Sequence, residues 1–237
     1  MSAQVERVTG PAPLLYIPEP AQRDDLAAFT ARVVQLDGAS VVRLRGEPGQ
    51  PGPDGQARVV AWASTPFEVV ATRAVRGEVR PADLTVQAGD LLAALAVVRH
   101  AEVDPGGRAD ARWRAELPPS GGWRTVADLP AAELAELADA GLAEARDQAA
   151  HGHGHGGGSP VPAAELLDRT VRTAEGNGLR APVPLRCLFA LSGLGYLVGG
   201  DSGAVRVSAT GDRDWVRLDT PDGAVVRRRR ALLPLLV

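Results

Sequence analysis

Two clusters in this sequence have the residue types and spacing to do chemistry. The first is His151, His153 and His155 in the run HGHGHGGG. Histidines at alternate positions can turn their imidazole nitrogens to one divalent metal, which makes these three the candidate metal ligands. A structural zinc site also needs a fixed scaffold, and glycines flank all three. The stretch is therefore expected to be a linker whose histidines are incidental, with metal binding as the alternative. The second cluster is Arg227, Arg228, Arg229 and Arg230. A guanidinium grips phosphate or carboxylate through two parallel N–H donors. In a strand, Arg227 and Arg229 face one side and Arg228 and Arg230 the other, so the run reads as a strand end projecting into water. With Arg206 and Arg217 it forms a candidate surface for nucleic acid or an acidic partner. After residue 160 there are eleven arginines against eight carboxylates, net +3, and the rest of the chain carries −6. That split suits a nucleic acid, an acidic partner, the other half of this chain, or a second copy.

Other chemistry finds little support. All 26 basic residues are arginine, so no lysine can serve as a base or Schiff-base former. No phosphate-binding glycine loop with lysine is present, and no cofactor is expected. Cys187 lies in an apolar run, where a buried inert thiol is expected, and one cysteine excludes an internal disulfide. His100 follows an apolar helix and reads as a surface or cap residue rather than a general base. No catalytic residue is assigned, so the balance leans away from an enzyme.

Composition bounds the rest. The chain has 237 residues, enough for one large domain or two small ones. Hydrophobic residues make up 45% but aromatics only 4%, so the core must be Val, Leu and Ala. Arginine, alanine, glycine and proline are enriched together, as codon bias in a GC-rich genome would produce. No apolar run of about 18 residues occurs, so no membrane contact is expected. No signal peptide is legible, which leaves the cytoplasm as the default compartment.

The elements that must position these residues read as an α+β protein. Residues 1–24 form an N-terminal arm, with Leu14–Ile17 able to add an edge strand. Residues 25–150 form a β-rich domain. In it Phe29–Leu36 and Ser40–Arg45 are read as strands joined at Asp37-Gly38. Arg58–Ser64, Phe67–Val75 and Asp83–Val86 are further strands. Asp90 is the expected N-cap of a buried helix over Leu91–Val98. Trp113 and Trp123 anchor the stretch after that helix; Glu116–Trp123 reads as a turn-rich connection whose Trp packs back onto the core, with two exposed tryptophans forming a ligand platform as the alternative. An amphipathic helix runs over Asp128–Ala150, capped by Asp128, with Leu134, Leu137, Gly141, Leu142 and Ala145 on its inner face. Its other face carries Glu133, Glu136, Asp139, Glu144 and Asp147, which phosphate would repel. Residues 151–160 are the Gly/His linker and domain boundary.

Residues 161–237 form the smaller C-terminal unit. Thr170–Val183 alternates around Asn177-Gly178, the strongest short hairpin cue. Prolines 182 and 184 stop the hairpin and open a helix at Leu185. Alternating runs at Val205–Ala209, Trp215–Asp219 and Ala224–Arg230 follow, giving ββαβββ. A winged helix, with a helix over Ala163–Glu175, is the alternative.

The combination of ELPPSGGW, the acidic helix, the linker and PLRCLFALSGLGYL resembles uncharacterised actinobacterial proteins, a group that implies no activity. A strand-like DLTV followed by a helix, as in Asp83–Leu95, is similar to sliding-clamp domains, in which such units repeat. The expectation is a binding or self-association protein, a possible homo-oligomer or one with a protein partner. A nucleic-acid-associated regulator using the arginine-rich strand is the alternative, and an enzyme without a legible motif is the third reading.

Overall fold

A computed structural model of the chain describes residues 12–46, 57–151, 163–197, 203–211 and 214–229. His153, His155 and Arg230 lie outside them. The protein is α+β and divides into two compact units. The first comprises Met1–Val34, Gly38–Trp62 and Ala74–Arg114; the second comprises Gln35–Asp37, Ala63–Arg73 and Ala115–Val237. The division falls at Arg114/Ala115 rather than at 151–160. The helices on either side of that Gly/His segment both belong to the second unit.

The first unit opens with β1 (Leu14–Tyr16) and α1 (Pro20–Leu36). β1 is the central strand of a small sheet, between β5 (Glu78–Arg80) and β7 (Glu102–Val103). The arm expected over 1–24 is thus structured from Leu14, and α1 replaces the expected strand over Phe29–Leu36. The β-branched residues Thr30, Val33 and Val34 favoured extended backbone locally. However, Arg23, Leu26, Phe29, Thr30 and Val33 recur at three- and four-residue spacing, and all are buried. Thr30 also donates its hydroxyl to Leu26 O at 2.7 Å, which satisfies it inside the helix. Arg23 reaches back to Ile17 O at 2.8 Å and ties α1 to the end of β1.

The larger sheet of this unit contains β2 (Val41–Gly46), β3 (Arg58–Ser64), β4 (Val70–Arg76) and β6 (Asp83–Gln87) in the order β6-β2-β3-β4. α2 (Ala88–Val97) follows β6 without a loop. Its N-cap is Gln87, not Asp90, and only one side is buried, through Ala88, Leu91 and Leu95. Val97 is 74% exposed, so α2 is a surface helix despite its apolar composition.

The chain enters the second unit within β3 and leaves it within β4. This unit's own elements start at β8 (Trp123–Pro130), which takes in the expected helix start at Asp128. Asp128 is a strand residue, and the helix α3 spans Ala131–His151. Its buried face is Leu134, Ala138 and Gly141, while Leu142 is 40% exposed. Then follow α4 (Ala163–Asp168), β9 (Thr170–Gly176), β10 (Leu179–Pro184), α5 (Leu185–Gly193), β11 (Ala204–Thr210), β12 (Trp215–Thr220) and β13 (Gly223–Arg228). That is the expected ββαβββ order, and the six-residue α4 leaves no room for a winged helix. Asn177 (φ 52°) and Gly178 (φ 70°) both have positive φ, as a two-residue type I′ turn requires.

The sheet runs β4-β13-β12-β11-β8, antiparallel from β4 to β8. α5 is buried nearly all round, through Leu185, Arg186, Cys187, Leu188, Ala190 and Leu191. With Leu134 and Leu218, its leucines form the core of this unit. Each such leucine contributes about 2 kcal/mol by burial.

Candidate functional site

Two of the arginines singled out in the sequence lie on the outer face of the second unit's sheet. Alternation along β11 and β12 turns Val205, Val207 and Leu218 inward and Arg206, Arg217 and Asp219 outward. The register sets Arg206 opposite both Asp128 of β8 and Asp219 of β12. Arg206 Nε donates to Asp128 Oδ1 at 3.1 Å, and Arg217 Nε to Asp219 Oδ1 at 2.7 Å. These four side chains, with Trp123 and Thr220, line an open groove of about 560 Å³. Trp123 is only half-buried and donates its indole N–H to Pro119 O at 3.1 Å. It edges the groove rather than filling the core. Two guanidiniums balance two carboxylates here, so the groove presents polar geometry with little net field.

Arg227 behaves differently. Only 11% of its side chain is exposed, and it is ion-paired with Asp168 at the end of α4. The expectation that this strand end projects into water fails at Arg227, because α4 places a carboxylate over the strand. Arg228 is exposed; its Nη1 donates to Glu116 Oε2 at 2.6 Å, and Nη2 lies 4.0 Å from Asp214. Arg229 is half-buried, its backbone N–H donates to Asp214 O, and its Nη1 is buried without a hydrogen-bond partner among the described residues.

Sequence reasoning missed the most buried charge of this unit, Arg186. Its side chain is 3% exposed. Nη1 donates to Phe67 O and to Glu68 Oε2, both at 2.9 Å, and Nε lies 2.9 Å from Asp168 Oδ1. Arg186 thereby locks the turn between β3 and β4, where Glu68 adopts φ 55°. Phe67 packs edge-on against Phe189 of the same helix. The signal was present in PLRCLFAL, since an arginine inside a fully apolar helix must find partners. Burial pushes the Asp168 carboxyl up, but Arg227 and Arg186 outweigh it and hold it below the usual carboxylate range. Cys187, beside this network, is fully buried, and desolvation pushes its thiol up to about 12.

His151 ends α3. No group of three or more His, Cys, Asp or Glu placed to hold a metal occurs among the described residues.

In the first unit the outer sheet face carries a second polar cluster. Arg43 forks onto Asp83 with two bonds of 2.7 Å and stacks over Trp113 at 5.7 Å. Thr85 and Asp110 complete a small hollow of about 170 Å³. Burial pushes the Asp110 carboxyl up, but the Thr85 amide and Arg108 outweigh it, so it also sits low. Trp113 is half-buried over this face rather than in the core.

Residues 11–115 match a domain of unknown function (DUF8010), and residues 118–232 match a second one (DUF8185). Their border lies beside the Arg114/Ala115 division of the two units. No curated protein matches the sequence. Among solved structures the chain is similar to bacterial sliding clamps. The DnaN sliding clamp (DNA polymerase III subunit beta) of Bartonella birtlesii, bound to griselimycin, is 13% identical with a TM-score of 0.52, over 93% of this chain and 66% of that one. The Caulobacter crescentus beta sliding clamp is 12% identical with a TM-score of 0.53, over 95% and 67%. The Pseudomonas aeruginosa DNA polymerase sliding clamp is 15% identical with a TM-score of 0.50, over 93% and 65%. The chain thus spans about two thirds of the length of each clamp, and the likeness is one of fold. No helix among the described residues is long and apolar enough to cross a membrane.

Proposed function

We propose that this chain is a non-catalytic binding protein that works through protein contacts, self-association among them, on a sliding-clamp-like scaffold. The observation that carries this reading is the fate of the arginines. Arg206, Arg217, Arg227 and Arg228 each engage a carboxylate of this same chain. Their charge is already balanced within the chain, so this surface offers a phosphate backbone little net field. The exposed side of α3, with Glu136, Asp139 and Asp147, is itself a surface that phosphate avoids. The clamp-like fold supports assembly with other copies or with proteins. The same reading keeps the cytoplasm as its compartment.

Sedimentation velocity of the full chain across concentration tests the reading, with binding to mixed DNA and RNA at low salt alongside. Concentration-dependent association without nucleic-acid binding is the expected result. Tight binding that falls steeply with salt would overturn it in favour of a nucleic-acid-associated regulator, the second reading, which the polymerase clamps among the structural neighbours favour.

A further inference from the structure

The first unit's sheet ends at β6, and an edge strand normally exposes a row of unpaired N–H and C=O groups. Here the outward-facing groups of Thr85 are both taken by the chain's own 108–110 segment. Ala109 N–H donates to Thr85 O at 2.7 Å, and Asp110 Oδ1 accepts the Thr85 N–H at 2.8 Å. Asp110 stands where a neighbouring strand would place its carbonyl. Arg108 clamps the other oxygen, Asp110 Oδ2, through Nε at 2.9 Å and Nη2 at 2.7 Å. Arg108 also forms the isolated bridge to Val86. A side chain thus completes what would otherwise be a strand ladder.

We propose that this segment is a removable cap over a self-complementary edge, and that the partner it excludes is β6 of a second copy of this chain. The sequence of β6, Asp83-Leu84-Thr85-Val86-Gln87, suits an antiparallel two-fold pairing centred on Thr85. Asp83 then lies opposite Gln87 of the second copy and Leu84 opposite Val86, so no like charges meet. Thr85 faces its own equivalent as a hydrogen-bonded pair, exchanging the two bonds now made by the cap. α2 follows β6 directly, buries Ala88, Leu91 and Leu95, and leaves Ala93, Ala96 and Val97 exposed on the side away from them. The relation is isologous, so it closes as a dimer.

This inference deepens the self-association reading, and its test separates the two. Thr85→Cys is made in the full chain with and without Asp110→Ala, and the proteins are oxidised and run without reductant. Equivalent Cα atoms in such a pair lie about 5.5 Å apart, within disulfide range. The other cysteine, Cys187, is buried. The expected result is a crosslinked dimer in T85C/D110A at least tenfold more abundant than in T85C. T85C/R108A, which loosens the clamp and leaves the acceptor in place, should lie between. Sedimentation should show Asp110→Ala dimerising at lower concentration than the wild type, and adding Thr85→Pro, which removes the N–H, should reverse that gain. Equal crosslinking with and without Asp110, or no crosslink in either capped or loosened variants, would overturn the proposal. If the wild type still associates in that case, the broader reading stands and the contact lies elsewhere.

Discussion

The Arg186 guanidinium meets the Asp168 carboxylate at 2.9 Å with its own side chain almost entirely withdrawn from water. Asp168 also holds Arg227, and with Glu68 on Arg186 two carboxylates balance the two arginines of α5 and β13. Removing one member of such a set leaves uncompensated charge in a poorly solvated place. Arg186→Ala should cost about 3 kcal/mol in urea unfolding. Arg186→Lys should recover only part, because an ammonium cannot fork between Phe67 O, Glu68 and Asp168.

Neighbouring arginines of β13 should differ sharply. Arg227 is 11% exposed and Arg228 54%. Arg227→Ser is expected to destabilise by about 2 kcal/mol, since it strips Asp168 of a partner. Arg228→Ser should change stability by less than about 0.5 kcal/mol, as exposed ion pairs contribute little. Paired thermal melts of the two variants check this.

Acid should weaken both units through named groups. Asp168 and Asp110 are held below their ordinary carboxylate values in the folded chain. A carboxyl depressed on folding contributes stability above its unfolded value, near 3.8, and loses it as pH falls through the lower folded value. Unfolding free energy should therefore be flat from neutrality to about pH 5 and fall below about pH 4. Asp168→Asn and Asp110→Asn should each be less stable at neutral pH and show a shallower acid slope.

Cys187 should not react with a thiol reagent at pH 8 in the folded state. It is fully buried, its thiol is pushed up to about 12, and only the thiolate attacks. One equivalent should react once denaturant unfolds the chain. Rapid labelling of native protein would contradict the packing of α5.

Gly141 sets how closely α3 approaches α5. A Cβ there would meet Leu185 Cδ1 at 2.5 Å, and Leu185 is fully buried. Helix propensity alone predicts that Gly141→Ala stabilises by about 1 kcal/mol. Overpacking against an immobile leucine should reverse the sign, for a net loss of about 1–2 kcal/mol seen as a lower Tm.

Local rules settled whatever had a short-range cause. Asn177-Gly178 wrote the hairpin, and Pro184 wrote the start of α5 beside it. Alternation at Val205–Ala209 and Trp215–Asp219 wrote two strands, because side chains on one buried face repeat every second residue. Those features determined the α+β class and the C-terminal order without any tertiary information. The same rules misread α1, where Thr30, Val33 and Val34 favoured a strand locally and burial at helical spacing prevailed. They also placed Asp128 as a helix cap, whereas pairing with β11 drew it into β8. Tertiary structure alone decided the chemistry of the arginines. Whether Arg227 meets water or Asp168 depends on where α4 lies, and whether β6 is open depends on a carboxylate 25 residues away in sequence. A charge's partner is chosen by position in space, and no periodicity along the chain records it.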